Sequence, residues 1–287
     1  MKEGEQKVSD TRGRFLQAVR EGREINDADW VNGRILLSNK RLILAGTGGK
    51  RTVQLEDVEG LGGRFDVNQR VATVADYLSL HLPDGVLLVA PADFEEFELD
   101  VFGALLDYSS YLGRHPAVEG GVVQNTEWER ARLKVEKEAV SLATVSGTFV
   151  EIRLDDIGDI TTGVRTVQEE ERRVIEVEHS RDGTSVQTYL SGPNRQIGIL
   201  STLLRKGEEQ SETALDLSTS DKQVLTALYS GVEPFDIPSF LGLDVDEVEA
   251  LFQRLIEHNV LDEVRIRREV ELNARGRSIA SDAIDEQ

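Results

Sequence analysis

The feature that most limits what this chain can fold into is a repeat at a constant offset. Its two tryptophans, Trp30 and Trp128, stand 98 positions apart, in the contexts Asp-Trp-Val-Asn-Gly-Arg at 29–34 and Glu-Trp-Glu-Arg-Ala-Arg at 127–132. At the same offset Asp84-Gly85 answers Asp182-Gly183, Leu105-Leu106 answers Leu203-Leu204, and His81 answers His179. With one residue inserted, Val53-Gln54-Leu55-Glu56-Asp57-Val58 matches Ile152-Arg153-Leu154-Asp155-Asp156-Ile157. Coincidences gathered at one offset mean a duplicated domain, and this period is too long for a solenoid. At roughly 100–200 residues per domain, 287 residues hold two or three domains. The spacing places an N-terminal arm at 1–28, one copy at 29–113, a second at 127–207 and a third domain at 213–287.

Each copy reads as short strands closed by a helix. In the first, Arg34–Leu37 and Arg41–Ala45 flank a Ser38-Asn39 hairpin signal, and Thr52–Leu55 alternates. Tyr77–Leu82 alternates toward Asp84-Gly85, a dipeptide favoured in two-residue hairpins, and Val86–Val89 returns. Asp93–Leu112 then puts Phe94, Phe97, Val101, Leu105, Tyr108 and Leu112 on one helical face. In the second copy the strands are Leu133–Val135, Val140–Ala143, Phe149–Leu154, Val174–Val177 and Val186–Tyr189, and Pro193 opens a helix to about Leu204. An antiparallel sheet closed by a C-terminal helix resembles the pleckstrin-homology-like (PH-like) fold, and Gly33–Ala45 is similar to the opening hairpin of its lipid-binding members. Lys40 and Arg41 would then meet a phosphoinositide. The preferred reading is a polar turn on an interaction scaffold, because the second copy has Glu138-Ala139 there.

After the polar stretch Lys206–Glu212, read as a linker, the period becomes helical. Ser220 followed by Gln223 is a capping-box pattern opening a helix over Asp221–Tyr229. Ile237–Leu241 is a short helix entered through Pro238, and Gly242-Leu243 is the turn. A third helix spans Val245–His258, with Val245, Val248, Leu251, Phe252, Leu255 and Ile256 inward and Asn259 as its stop. Val264–Ile266 and Glu269–Leu272 read as wing strands, and Asn273–Ala280 resembles the ending of a winged helix-turn-helix domain. The fold class is therefore α+β and multidomain: two tandem PH-like antiparallel sheet domains, then a C-terminal winged helix-turn-helix.

Winged helices commonly read DNA through the third helix. Here that helix turns Asp246, Glu249, Gln253, Arg254 and Glu257 outward, and residues 211–287 hold 17 acids against 7 bases. A DNA reader shows a basic stripe. The wing holds Arg265, Arg267 and Arg268, with Arg275 and Arg277, a cluster that would meet phosphate or an acidic protein partner, or merely balance neighbouring Glu269 and Glu271. Protein binding through Asp246, Glu249, Gln253, Arg254, Arg265, Arg267 and Arg268 is the favoured reading, and a DNA-binding transcriptional regulator the alternative.

The net charge of −20, from 53 acidic and 33 basic residues, is spread along the chain. With 8 Lys against 25 Arg and no cysteine, the composition is like that of a protein from a salt-in halophile. In molar salt the Debye length is only ~3 Å, so total charge says little about partners. No run approaches the ~20 apolar residues of a membrane span and residues 1–10 are not a signal peptide, so a soluble, intracellular protein without direct membrane insertion is expected. The absence of cysteine excludes disulfides and thiolate chemistry. His81, His115, His179 and His258 have no metal-ligand spacing, and no phosphate-loop or nucleophile-elbow motif occurs. The glycine-rich Gly46–Gly49 and Gly60–Gly63 lead into strands and read as turns. No enzyme and no cofactor are expected.

The opening Val8–Val19, followed by Asp29–Leu44, is similar to the start of the archaeal taxis protein CheF family, and the length and acidic helical C-terminus fit as well. The resemblance implies a non-enzymatic adaptor linking chemotaxis signalling to the archaellum. Its partners would be the response regulator CheY, in its phosphorylated form, the CheC and CheD proteins, and accessory or motor proteins at the archaellum base. No family catalytic residue exists to carry over.

Overall fold

The stretch expected to be an arm is a central strand. Over Lys7–Arg20 (β1) exposed and covered side chains alternate, with Phe15 on one face and Leu16 and Ala18 on the other. The computed structural model describes residues 4–24, 29–62, 76–107, 109–214, 217–257 and 260–261. After β1 come a two-residue return, Arg23–Glu24 (β2), then Val31–Ser38 (β3), Arg41–Gly46 (β4) and Gly49–Gln54 (β5). A 3-10 turn over Leu55–Asp57 leads to Gly60–Gly62 (β6), Leu78–Leu82 (β7), Gly85–Pro91 (β8) and the helix Phe94–Leu106 (α1). The sheet order is β5-β4-β3-β1-β8-β7-β6, all antiparallel, with β2 paired to β1. The boundary drawn at residue 29 therefore cuts through one sheet.

The second copy repeats this order. Its strands are Ser110–Glu119 (β9), Val122–Val123 (β10), Glu129–Val135 (β11), Ala139–Thr144 (β12), Phe149–Arg153 (β13), Ile157–Val167 (β14), Glu170–Arg181 (β15) and Thr184–Ser191 (β16). They assemble as β13-β12-β11-β9-β16-β15-β14. β9 is the counterpart of β1, which is why the expected first helix is too long: α1 stops at Leu106, and Ser110–Leu112 are sheet residues. Tyr108, placed on that helix, lies outside the described residues. The turn Glu21-Gly22, with φ of 52° and 74°, is answered by Gly120-Gly121 at 54° and 78°.

The second helix, Asn194–Ala214 (α2), continues through the stretch read as a linker. Gly207, near the start of that stretch, packs so closely that a Cβ would lie 2.7 Å from the Leu154 carbonyl oxygen. The helix persists because it has a surface to bury there. One apolar core joins both copies, including Leu37, Leu44 and Val89 of the first sheet, Leu133, Ile152 and Val177 of the second, Phe97 and Phe102 of α1, and Ile197 and Leu204 of α2. α1 packs on β11, α2 packs on β6, and the two helices touch. Arg195 of α2 donates to the Leu55 and Val58 carbonyls of the first copy.

The chain divides into two compact units, Met1–Ala214 and Leu215–Gln287. In the second, Thr219–Tyr229 (α3), Ile237–Leu241 (α4) and Val245–Glu257 (α5) enclose Val224, Ala227, Ile237, Val248, Leu251 and Leu255. Gly242 takes the left-handed conformation, φ 69°, that ends α4. The cap of α3 lies two residues before the expected one: Ser218 accepts from the Asp221 backbone, and Asp221 accepts from that of Ser218. Val245, expected inward, is 59% exposed at the first position of α5. The wing strands, the residues 273–280 after them, His258 and Asn259 lie outside the described residues.

Candidate functional site

On α5, Asp246, Glu249, Gln253 and Arg254 are all exposed, as their helical spacing requires. Arg254 is also committed within the fold. Its guanidinium donates to the Asp221 carboxylate, which is 1% exposed, and to Ser218 Oγ at 3.2 Å. Burial alone would raise the Asp221 carboxyl, but hydrogen bonds from Arg254 and Ser218 outweigh it and hold it below the ordinary range. Arg254 thus ties α5 to the cap of α3, and the outward side of α5 is left with Asp246, Glu249 and Gln253. Arg265, Arg267 and Arg268 lie outside the described residues. In this unit the large apolar side chains Tyr229, Phe235, Phe240 and Val245 are exposed.

The two sheets share a topology and differ on their outer faces. Each carries a small apolar cluster around its repeat tryptophan. Trp30 lies against Tyr77, with ring centroids 6.2 Å apart, and Trp128 against Tyr189 at 6.4 Å. Register fixes the remaining correspondence. Arg12 pairs across the strands with Arg34, and Arg14 with Asn32; in the second copy Ser110 pairs with Arg132, and Leu112 with Arg130. Where the first copy has Arg14, the second thus has Leu112, buried with Ala117, Val167, Val174 and Tyr189. The guanidinium of Arg165, paired with Glu176, lies 5.0 Å above the Tyr189 ring.

In the first copy that area is an open groove of ≈ 720 Å³, lined by Arg12, Arg14, Arg34 and Asn32 with Ala90 and Ala92 among others, and by no acid. Beside it Asp10 receives two bonds from Arg34, at 2.7 and 2.6 Å, which bring its carboxyl down to about 2. Among the described residues Arg12 and Arg14 have no ion pair. The sequence reading missed both because it took residues 1–28 as an arm. The signal was there: charged Asp10, Arg12 and Arg14 alternate with Thr11, Gly13 and Phe15, and Gly22 stands 99 residues before Gly121.

The second sheet holds a buried polar chain. Arg181 Nη1 lies 3.2 Å from His115 Nε2, His115 Nδ1 2.7 Å from Thr188 Oγ1, and His179 Nε2 2.8 Å from the same hydroxyl. Arginine only donates, so His115 Nε2 accepts. Its Nδ1–H then donates to Thr188, the Thr188 hydroxyl donates to His179, and His179 Nδ1–H faces the Ser180 carbonyl at 3.3 Å. The chain closes only with both rings neutral, in tautomers assigned from this network. Burial, then His179 and Arg181, pull the His115 pKa down to about 4; burial also lowers that of His179. His179 therefore holds a structural place, while its repeat partner His81 sits half-buried between Gly60 and Val86.

Lys40 and Arg41 do not form a free basic pair. Arg41 makes a bidentate bridge, at 2.7 and 2.9 Å, to Glu5, which the sheet covers. A second groove of ≈ 1050 Å³ runs along α1, with Glu95, Asp100, Asp107 and Glu136 facing Lys7 and Lys137, and with Glu98 bonded to Lys206. Burial raises the Asp100 and Asp107 carboxyls. Among the described residues no group of acids and histidines is arranged to hold a metal ion, and no helix is long and apolar enough to cross a membrane.

A family profile described as archaeal chemotaxis signal transduction system protein F matches residues 7–210, from the first residue of β1 to near the end of α2. A profile described as a domain of unknown function matches residues 216–285. Taxis protein CheF1 of Halobacterium salinarum is 51% identical over 291 aligned positions, covering the whole of both chains. Taxis protein CheF2 of the same organism is 22% identical over 274 positions, covering 89% of this chain and 91% of that protein.

Proposed function

The chain belongs to the archaeal CheF family of chemotaxis signal transduction proteins, and on that premise we propose that it is a non-enzymatic adaptor coupling the response regulator CheY, with CheC and CheD, to the archaellum motor at its base. We read each sheet with its closing helix as PH-like, and the helical unit as a winged helix put to protein binding. The observation that carries this reading is the shared core of the two sheet copies. A signal relay without chemistry of its own has to hold two binding faces at a defined spacing, and a double sheet around one core does so. The helical unit supports a third face. Its exposed Tyr229, Phe235 and Phe240 are the kind of apolar anchor that still binds when salt screens charge. The outward side of α5, left with Asp246, Glu249 and Gln253 once Arg254 is paired, is poorly suited to the phosphates and base edges of DNA.

Coupling requires that the adaptor bind the two signalling states of the regulator unequally, since equal affinity transmits nothing. The test is recovery of CheY on the full chain with and without a phosphoryl mimic. Several-fold greater recovery of the phosphoryl-mimic form is expected, and equal recovery sinks the reading. A high-salt gel shift of promoter DNA, expected to be negative, separates it from transcriptional regulation.

A further inference from the structure

We infer that the outer face of the first sheet is a docking site for an acidic segment of a partner protein, whose carboxylates are taken by Arg12 and Arg14. The proposal rests on the adaptor reading for the class of occupant, a protein. The argument for carboxylates starts from the face itself. Arg34 already grips one there: its Nε and Nη2 meet the two oxygens of Asp10 in the forked geometry that matches a planar guanidinium to a carboxylate. Arg12 is the cross-strand neighbour of Arg34 and Arg14 lies two residues further along β1, so three guanidiniums stand on one face, of which two have no ion pair among the described residues. The groove between them has no acidic lining, in a chain with 53 acids to 33 bases.

The duplication supplies an internal control. The second copy, built on the same strand order, has Ser110 and Leu112 at the positions of Arg12 and Arg14 and closes that area with an apolar cluster. The strand pairing therefore does not require the two arginines. They sit on β1 with their side chains away from the shared core, so they are not needed to hold the sheets together. The rigidity of the site comes from close backbone approach. A Cβ at Gly13 would lie 2.3 Å from the Ala90 carbonyl oxygen, and one at Gly33 would lie 2.2 Å from that of Ala45. Glycine at both positions draws β8, β1, β3 and β4 together and fixes the spacing of the arginines. Oriented in this way, bidentate pairs give specificity even where screening removes long-range attraction.

The experiment titrates full-length protein against a fluorescein-labelled deca-aspartate peptide at moderate salt, read by anisotropy. Arg12→Ser with Arg14→Gln is expected to weaken binding by about ten-fold, each exposed charge pair being worth a factor of a few. Arg173→Ser, at an exposed arginine of the second copy, should bind as the parent does. Asp10→Asn frees Arg34 and is expected to tighten binding about three-fold, a gain that a misfolded variant cannot produce. Equal affinity for the double variant overturns the proposal, and so does an Asp10→Asn variant that does not gain. So does capture of phosphatidylglycerol vesicles, with the same arginine dependence, by a protein that ignores the peptide. No taxis protein enters the test, so its failure leaves the adaptor reading standing, and unequal capture of CheY says nothing for this face.

Discussion

At the scale of single residues, two buried polar constellations need opposite charge states, and both lose stability as pH falls. Asp221 is held ionised under Arg254 and the cap of α3. A depressed carboxyl stabilises the fold above the unfolded value near 3.9, and that contribution is lost as pH falls through the folded value. Asp221→Ala removes both the cap bond and the pair. It is expected to lower the stability of the helical unit by about 1–3 kcal/mol at neutral pH, and urea unfolding followed by helix ellipticity checks it. His115 works from the other side. Folded, it stays neutral to about pH 4, whereas the unfolded ring takes a proton near 6.5. Between those values the unfolded chain binds more protons, so stability falls as pH drops through that window. The unfolding midpoint of a chain ending at residue 214 should therefore decrease from pH 7 to pH 5, and His115→Gln should flatten that dependence; an unchanged slope would place the charge change elsewhere. Little of this was legible in the sequence. His115 and Thr188 are 73 positions apart, and so are not neighbours in any local pattern. Only the Ser218–Asp221 cap was within reach of pattern reading, and Ser220–Gln223 fitted the usual box better because the reaching side chain is an aspartate.

At the scale of elements, glycine and proline decided where local expectation and structure part. The dipeptide Asp-Gly occurs in both repeat hairpins, but only Asp182-Gly183 occupies the two turn positions, with φ of 52° and 73°. In the first copy Leu82 pairs with Gly85, so the turn residues are Pro83 and Asp84. Proline cannot take positive φ, so the turn centre shifts by one residue. Gly85 then takes φ 138° against β1, where a Cβ would lie 2.0 Å from the Val19 carbonyl oxygen. The helix α2 gives a paired prediction of opposite sign. Gly198→Ala meets nothing within 4 Å and should stabilise by about 1 kcal/mol through helix propensity. Gly207→Ala carries the same propensity gain but drives a methyl into the Leu154 carbonyl, and is expected to lower the thermal midpoint. Melting curves of the two variants beside the parent decide it. The over-long first helix has a similar lesson. Leu105 and Leu112 share a helical face by spacing, yet Tyr111 and Leu112 are buried strand residues, because short apolar runs fit either period until tertiary neighbours choose.

At the scale of the molecule, one core spanning both copies predicts that they unfold together. The two tryptophans report one copy each. In a chain ending at residue 214, Trp30→Phe and Trp128→Phe variants should give denaturant transitions of the same midpoint and slope, since a shared core allows no half-folded state. Separated midpoints would mean two independent sheets. The sequence by itself determined the duplication, the hairpin at Asp182-Gly183, the pattern of α3, α4 and α5, and the family, because these rest on local spacing and repetition along the chain. The tertiary structure alone decided that residues 7–20 are a central strand, that the supposed linker is helix, and that Arg12, Arg14 and Arg34 share one face. Those facts depend on cross-strand register and on surfaces buried between distant segments, and hydrogen bonds across a sheet leave no mark on the order of residues within one strand.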